Sequence, residues 1–150
     1  MATASIAVRA AVAADQPAIT ALVRAARINP TGLDWRRFLV AEAGGRIVGV
    51  GQVKPHGGVR ELASIAVVPE WRGRGVARAI ITALLAREPG DVYLYCSAAL
   101  APFYERFGFQ AVAPAAIPPG MRWAYRLMNL ALRLARLPLR IVVMRRAAPL

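Results

Sequence analysis

A loop with two closely spaced glycines among arginines is the part of this sequence best suited to bind an anion. Its residues are Arg72, Gly73, Arg74, Gly75, Val76 and Ala77. The apolar pattern before the loop predicts a strand, and the pattern after it predicts a helix. Glycines let successive backbone N–H groups converge, and the first turn of a helix adds unpaired donors and the positive end of its dipole. The spacing therefore suits a phosphate ligand, and a strand-to-helix turn with a solvated basic rim is the alternative.

Two common nucleotide-binding loops do not match this segment. A P-loop requires Gly-Lys-Ser/Thr, whereas the only lysine of the chain is Lys54. A dinucleotide-binding loop requires a third glycine, and Arg78 stands at that position. The loop therefore belongs to neither class.

Three linked motifs resemble those of the GNAT acetyltransferase superfamily. The loop Arg72–Ala77, which follows a predicted strand and Pro69, is similar to the family signature R/Q-x-x-G-x-G/A. Upstream, Glu61–Val67 looks like the central strand of the family, and downstream Phe103–Phe109 is similar to its tyrosine-bearing segment. The motifs follow one another in the family's order, whereas residues 113–150 carry no family motif.

The resemblance implies acyl transfer from acetyl-CoA to an amine through a ternary complex. The backbone N–H groups of the loop would bind the pyrophosphate, and Arg72 and Arg74 would add charge. The pantetheine arm would pair with the central strand, and the acetyl carbonyl would accept a hydrogen bond from an N–H near Val67. The strand residues concerned are Ile65, Ala66 and Val67. Ser97 lies where many relatives have asparagine, so it would make only part of the same contacts.

Glu61 and Tyr104 are the catalytic residues that the resemblance implies. Alkyl ammonium groups have pKa values of about 10, so the attacking amine needs a proton acceptor, and Glu61 corresponds to the base of several family members. Tyr104 matches the family's tyrosine and would protonate the leaving CoA thiolate as a general acid. His56 has the better intrinsic pKa for a base, but its Pro-His-Gly-Gly setting predicts a turn. Cys96 is expected to be a packed strand residue, because the sequence places no evident base beside it.

The elements that must hold these residues form a mixed series of strands and helices. Strands are predicted at residues 5–10, 38–43, 46–53, 61–68, 91–96, 109–112 and 139–145. Helices are predicted after an N-cap at Asp15 and at residues 74–87, 98–107 and 121–137. This order predicts one α/β domain over residues 1–150. The resemblance adds the GNAT fold, a mostly antiparallel mixed sheet with splayed middle strands, flanking helices and here an extra helix before the last strand.

Composition excludes several classes of protein. The chain has 150 residues, of which 57% are apolar, so it is not an intrinsically disordered polymer. Its formal charge is +12, which attracts phosphates and carboxylates and repels polycations. It has one cysteine, so neither a disulfide framework nor a cysteine-based metal site is expected, and no metal is predicted.

Targeting signals are weak in this sequence. The first seventeen residues contain small side chains typical of a cleavage site, but Arg9 interrupts the apolar stretch, which makes a poor signal peptide. No apolar run approaches the roughly 20 residues of a membrane span. We therefore expect a cytoplasmic protein without a membrane span.

The predicted C-terminal helix has two distinct faces. On a helical wheel, a basic ridge falls within an arc of about 80° and consists of Arg122, Arg126, Asn129, Arg133 and Arg136. An adjacent apolar stripe consists of Leu127, Leu130, Leu134 and Leu137. One interpretation is a solvated face on a helix docked to the sheet. The other is a ridge that lines the acceptor groove or lies against an anionic surface, such as a membrane or nucleic acid. Trp35, Trp123 and Tyr125 either frame a site or pack in the core.

The leading hypothesis is an acetyl-CoA-dependent N-acetyltransferase, acting on a small amine, an amino acid or a protein amine. Polycationic acceptors are disfavoured by the charge of the chain, and nucleic acid is not an expected partner. Both a monomer and a homodimer remain open. The alternative is a non-catalytic module of the same fold that binds acyl-CoA or nucleic acid. Such a module would be expected to have lost Glu61 or Tyr104, and both are present.

Overall fold

The structure, a computed structural model, describes residues 5–150. The strands in this range are β1 (Ala7–Ala10), β2 (Phe38–Ala43), β3 (Arg46–His56), β4 (Val59–Val67), β5 (Val92–Ser97), β6 (Gln110–Ala111) and β7 (Ile141–Arg146). The α-helices are α1 (Gln16–Ala25), α2 (Val76–Leu85), α3 (Ala101–Glu105) and α4 (Pro119–Leu134). The order and the types of these elements confirm the predicted mixed α/β fold.

The strands form a mixed and mostly antiparallel sheet in the order β1-β2-β3-β4-β5-β7-β6. The pairs β1–β2, β2–β3, β5–β7 and β6–β7 are antiparallel. The pair β4–β5 is parallel, and its register consists of Arg60 opposite Val92 and Glu61 opposite Tyr93. The parallel pairing therefore lies at the beginning of both strands. The extra helix, α4, precedes the last strand as predicted.

The chain divides into two compact units. The first comprises the chain up to Val53 together with Leu62–Arg87, and the second comprises Lys54–Glu61 together with Glu88–Leu150. Strand β4 begins in the second unit and continues into the first. Each unit has an apolar cluster of its own.

The first unit is built around the inner faces of α1, β2 and β3. Ile19 and Val23 of α1 are fully buried with Phe38, Val40 and Val50. These two helix residues are four apart, so they share one face of α1. Burial of such side chains is the main favourable contribution to folding.

Two glycines of β3 allow α2 to pack closely in the first unit. A Cβ atom on Gly49 would lie 2.5 Å from the Val76 side chain, and one on Gly51 would lie 2.5 Å from the Ile65 side chain. Ile80 approaches both positions. The glycines therefore bring the strand and the helix that begins after the arginine-rich loop close together.

The second unit holds α4 against β7. Met121 of α4 is fully buried with Ile117 and Val143, and Tyr125 packs against them. Asn129, which the helical wheel placed on the basic ridge, instead hydrogen bonds the backbone of Ile141 in β7. The predicted ridge is thus partly a docking face.

The ends of several elements differ from the prediction. Strand β1 starts at Ala7, and the first four residues of the segment considered as a leader lie outside the described residues. The helix predicted to reach Leu137 ends at Leu134 because Arg136 adopts a left-handed conformation with φ of 54°. The Leu137 N–H then donates to the Leu132 carbonyl at 3.0 Å, the bond that closes a Schellman cap.

Two further elements are shorter than the sequence indicated. The helix predicted for residues 98–107 divides into a 3₁₀ turn, Ala98–Leu100, and α3. The strand predicted for residues 109–112 narrows to β6. Over residues 5–150, no helix combines the length and apolarity needed to cross a membrane.

Candidate active site

The arginine-rich loop connects β4 to α2 in the first unit. Gly73 and Gly75 have φ angles of 75° and 80°, and open space surrounds the position of a Cβ at each. These glycines are therefore required by backbone conformation and not by crowding. Gly75 is the N-cap residue of α2, and no side chain caps the helix there. The first N–H groups of α2 have no acceptor within the helix itself.

The arginines of this loop are exposed. Arg72 and Arg74 lie on either side of Gly73, and the Arg74 guanidinium stacks over the Trp71 ring at 4.8 Å from its centroid. Trp71 ends a 3₁₀ turn that begins at Pro69. The loop thus combines cationic side chains with a helix N-terminus, which is the arrangement that favours a phosphate.

One residue of β4 has a left-handed backbone conformation just before the segment predicted to bind pantetheine. Ser64 is buried and has a φ of 59°, a conformation that costs an L-residue roughly 1–3 kcal/mol. Gln52 of β3 holds it, because the Gln52 side-chain amide donates to the Ser64 hydroxyl at 2.9 Å and to the Gly32 carbonyl at 3.1 Å. The sequence contained no signal for this pair, since neither residue stands out from its strand.

The three predicted pantetheine-binding residues follow Ser64. Ile65 and Val67 are half-buried and Ala66 is buried, so their side chains alternate as expected in a strand. The next N–H, that of Val68, donates to the Val48 carbonyl of β3 at 2.9 Å. The strand is thereby anchored on its β3 side where the predicted segment ends.

Glu61 lies in the second unit beside His56 and Tyr95. The Glu61 carboxylate oxygen Oε2 is 3.4 Å from His56 Nδ1, and it is buried without a hydrogen-bond partner among the described residues. His56 Nε2 is 3.2 Å from the Tyr95 hydroxyl, which donates to the Met121 carbonyl at 3.1 Å. His56 ends β3 and Glu61 lies near the start of β4, so the Gly57–Gly58 turn brings them together.

The hydrogen bonds of Tyr95 define the orientation of the His56 ring. Tyr95 has one hydroxyl proton, and the Met121 carbonyl receives it. The hydroxyl oxygen then accepts the proton of His56 Nε2, which leaves Nδ1 of a neutral imidazole as an acceptor facing Glu61. His56 Nδ1 therefore lies on the side of the ring that faces the Glu61 carboxylate.

Burial raises the pKa of both groups that flank His56, which are Glu61 and Tyr95. Removal from water raises the pKa of Glu61 above its usual value, and the charges of Lys54 and His56 oppose this rise. Burial also raises the pKa of Tyr95, so its phenol stays protonated at neutral pH. Sequence reasoning placed His56 in a turn and did not single out Tyr95, because only the sheet brings them to Glu61.

Tyr104 lies on α3 between two aromatic neighbours. Its ring meets Phe103 and Phe109 edge to face, with centroids 5.1 and 6.1 Å away. Burial raises the pKa of Tyr104 to about 12, with a smaller contribution from Cys96. The phenol is therefore fully protonated at neutral pH and able to donate a proton.

Ser97 and Cys96 end β5 with different roles. The Ser97 hydroxyl accepts the Ala99 N–H at 3.2 Å and so caps the turn that leads to α3. Cys96 is buried, its thiol donates to the Met144 sulfur at 3.7 Å, and burial raises its pKa to about 11. Cys96 is thus packed as the sequence predicted, and its thiol is poorly suited to be a nucleophile.

The candidate aromatic residues lie in three different environments. Trp35 is half-buried against the apolar cluster of the first unit, and the Arg36 guanidinium stacks on it at 4.8 Å. Tyr125 packs in the second unit, whereas Trp123 is 76% exposed on α4. Two of the three are therefore associated with the core.

One known protein family matches the sequence of this chain. The acetyltransferase (GNAT) domain family matches residues 34–111, a range that contains the loop, Glu61 and Tyr104. The chain belongs to the GNAT acetyltransferase family. No curated protein matches its sequence at a significant level.

Several solved structures share the fold of this GNAT domain. N-acetylglutamate synthase from Neisseria gonorrhoeae, complexed with coenzyme A and N-acetyl-glutamate, is 18% identical with a TM-score of 0.76 over 99% of this chain, which spans only 36% of that protein. A Mycobacterium tuberculosis protein in complex with CoA is 24% identical, with a TM-score of 0.70, and the match covers 95% of this chain and 99% of that one. An acetyltransferase of the GNAT family from Staphylococcus aureus is 11% identical, with a TM-score of 0.70 and the same coverage.

Proposed function

We propose that residues 1–150 form one acetyltransferase domain, which transfers an acetyl group from acetyl-CoA to a primary amine by direct attack in a ternary complex. The observation that carries this proposal is the arginine-rich loop, with its left-handed glycines at the uncapped start of α2. Family membership supports it, and so do the CoA complexes named for the Neisseria and Mycobacterium structures.

The co-substrate is assigned to residues of the loop and of β4. The N–H groups of residues 72–77 would bind the pyrophosphate, and Arg72 and Arg74 would neutralise its charge. The backbone from Ile65 to Val67 would pair with the pantetheine arm, and the N–H near Val67 would donate to the developing oxyanion. Ser97, whose hydroxyl oxygen already accepts a bond from Ala99, would still have its own proton to donate.

Glu61 is the proposed proton acceptor, and His56 acts beside it. His56 Nδ1 lies 3.4 Å from the Glu61 carboxylate oxygen Oε2, and its charge opposes the rise in pKa that burial causes at Glu61. A raised pKa also makes Glu61 a stronger base than an exposed glutamate. The proton of the ammonium group would therefore move to Glu61, directly or through water.

Tyr104 is the proposed general acid. When the tetrahedral intermediate collapses, the bond between carbon and sulfur breaks and the sulfur leaves with the electron pair as a thiolate. The Tyr104 phenol, protonated because of its pKa of about 12, would donate a proton to that sulfur. General acid catalysis of this kind typically contributes about 10²–10⁴-fold to the rate.

An acceptor amine with an acidic portion fits this chain best. The charge of +12 attracts carboxylates and repels polycations. The Neisseria structure of the same fold is named for a glutamate-derived product. An α-amino acid is therefore the first acceptor class to examine, followed by protein amines in acidic surroundings. The expected cytoplasmic location stays a prediction.

The test is release of free CoA thiol from acetyl-CoA across amino acids, aryl-alkylamines, polyamines and acidic peptides. We expect turnover with acidic acceptors, and a loss of kcat/KM of about 100-fold for Tyr104→Phe and for Glu61→Gln. Tyr125→Phe and Glu105→Gln are matched controls outside the proposed machinery and should retain activity.

Two outcomes would contradict the proposal. Tight binding of CoA without turnover on any acceptor would favour the non-catalytic module. Full kcat in Tyr104→Phe, under conditions where chemistry limits the rate, would exclude Tyr104 as the general acid.

A further inference from the structure

The outward face of α4 carries large apolar side chains that the fold leaves in solvent. Trp123, Leu127, Leu130 and Leu134 are 76%, 51%, 44% and 75% exposed. Their spacing of four, three and four residues places them on one side of the helix, and we call them the apolar face of α4. Leu137 and Leu139, just past the end of the helix, are each 51% exposed. Contiguous exposed apolar surface of this kind marks an interaction site.

The fold does not use this face, because α4 docks through the opposite side. Met121 and Tyr125 pack in the apolar cluster of the second unit, and Asn129 bonds to β7. At 100° per residue these residues lie roughly 120–180° around the helix from the centre of the apolar face. The helix thus has one apolar side for the sheet and another that is free.

Arginines line one flank of the apolar face. Arg126 and Arg133 lie about 70° and about 90° from its centre and are exposed, and Arg136 and Arg140 follow the helix and are exposed too. Arg122, a member of the predicted ridge, instead donates to the Ile117 carbonyl at 2.9 Å. From residue 106 to residue 150 the chain has eight arginines and no acidic residue. A partner for this surface must therefore be anionic.

We propose that the apolar face of α4 and its arginine flank dock on an anionic phospholipid membrane surface. A helix with tryptophan and leucines on one side and arginines beside them lies in the plane of the lipid interface, with the apolar side chains among the acyl chains and the cations at the headgroups. The helix has 16 residues and is about 24 Å long, enough to present all four apolar residues at one depth.

Two other occupants fit the surface less well. A second copy of the chain would bring the arginine flanks of two α4 helices together without intervening acids. Nucleic acid offers phosphates for the arginines, but its backbone gives four large apolar side chains nothing comparable to bury against. The lipid surface satisfies both the charge and the apolar area, and the proposal does not depend on the acetyltransferase activity.

The test is co-sedimentation of the full chain with vesicles of equal phosphatidylglycerol and phosphatidylcholine, compared with phosphatidylcholine alone. We expect binding to the anionic vesicles, weakened by salt and at least tenfold weaker to the neutral ones. Leu127→Ser with Leu134→Ser, and separately Arg126→Gln with Arg133→Gln, should each reduce binding tenfold or more. Arg24→Gln with Arg87→Gln is the matched control, because it removes the same charge from exposed positions of the first unit and should bind as the unaltered protein does.

Fluorescence quenching in the unaltered protein tests the proposal without relying on the folding of the leucine and arginine variants. Lipids carrying a bromine or nitroxide quencher near the top of the acyl chain should quench the fluorescence of the protein, and Trp123→Phe should abolish most of that quenching while Trp35 and Trp71 remain. Lack of binding to anionic vesicles, or equal binding by the leucine variant, would overturn the proposal. The proposal would also be overturned if the protein formed a homodimer that dissociates in the leucine variant. It would likewise be overturned if the protein bound duplex DNA but no vesicles, and the leucine variant lost the DNA binding.

Discussion

Asn129 connects α4 to β7 through three hydrogen bonds. Its Oδ1 accepts the Ile141 N–H at 2.9 Å, and its Nδ2 donates to the Ile141 carbonyl and to the Tyr125 carbonyl, both at 3.1 Å. Ile141 is the first residue of β7 and pairs with Ser97 of β5. Truncation to alanine leaves both backbone groups of Ile141 without these partners.

The expected cost of Asn129→Ala follows from those bonds. Leaving a donor or acceptor unsatisfied costs about 1–3 kcal/mol, and the lower end applies to half-buried Ile141, so the free energy of unfolding should fall by about 2–3 kcal/mol. For a chain of this size the corresponding fall in Tm is about 4–12 °C. Asn129→Asp keeps the acceptor for the Ile141 N–H and loses the donor, so it should fall between alanine and asparagine.

Thermal unfolding followed by circular dichroism measures this loss, and amide hydrogen exchange at Ile141 and Val142 localises it. Arg133→Ala is the control, because Arg133 is exposed on the same helix and surface substitutions usually change stability by less than about 0.5 kcal/mol. If Asn129→Ala had the Tm of Arg133→Ala, α4 would be held to β7 by apolar contacts alone and the argument from hydrogen bonds would be wrong.

Three further predictions use other parts of the chain. Gly75→Ala places a Cβ on a residue with φ of 80°, so it should raise the KM for acetyl-CoA tenfold or more while leaving the acceptor KM within twofold. Equal KM values for acetyl-CoA in the variant and the unaltered protein would contradict the role of the loop. The His56 charge lowers the pKa of Glu61, so His56→Gln should move the acid limb of the pH profile of kcat/KM to higher pH, and an unmoved limb would show that Glu61 does not titrate in that profile. Hydrogen bonds from Arg9 lower the pKa of Asp15, so the stabilisation they give is complete above the ordinary pKa near 4 and is lost as pH falls through the lower pKa of the folded state. Urea unfolding between pH 6 and 2 should show this loss of stability, and Asp15→Asn should flatten the pH dependence.

The conformation of the arginine-rich loop was predictable because it is local. Adjacent residues 72–77 contain their own turn chemistry, and Gly73 and Gly75 have the positive φ angles that such a turn needs. The strands at residues 38–43 and 46–53 were predictable for the same reason, since Gly44 and Gly45 join β2 and β3 with positive φ at both residues.

The direction in which α4 faces was not predictable from its sequence. A helical wheel separates arginines from leucines, but it does not say which side meets the sheet, and both sides of α4 carry apolar residues. Met121 and Tyr125 pack on the inner side of α4. Asn129 lies on the same side because its side-chain amide hydrogen bonds both backbone groups of Ile141. The leucine stripe was left outside, next to Arg126 and Arg133.

By itself, the sequence determined the order of the elements, the family, the phosphate-type loop and the excess of positive charge, since each depends on neighbouring residues or on composition. Only the tertiary structure decided what surrounds Glu61. His56 and Tyr95 are 39 residues apart in the chain, yet their side chains meet at 3.2 Å. Strands that pair in a sheet bring distant positions to one place, and the acidity of a carboxyl group depends on what it meets there and on how far it is removed from water.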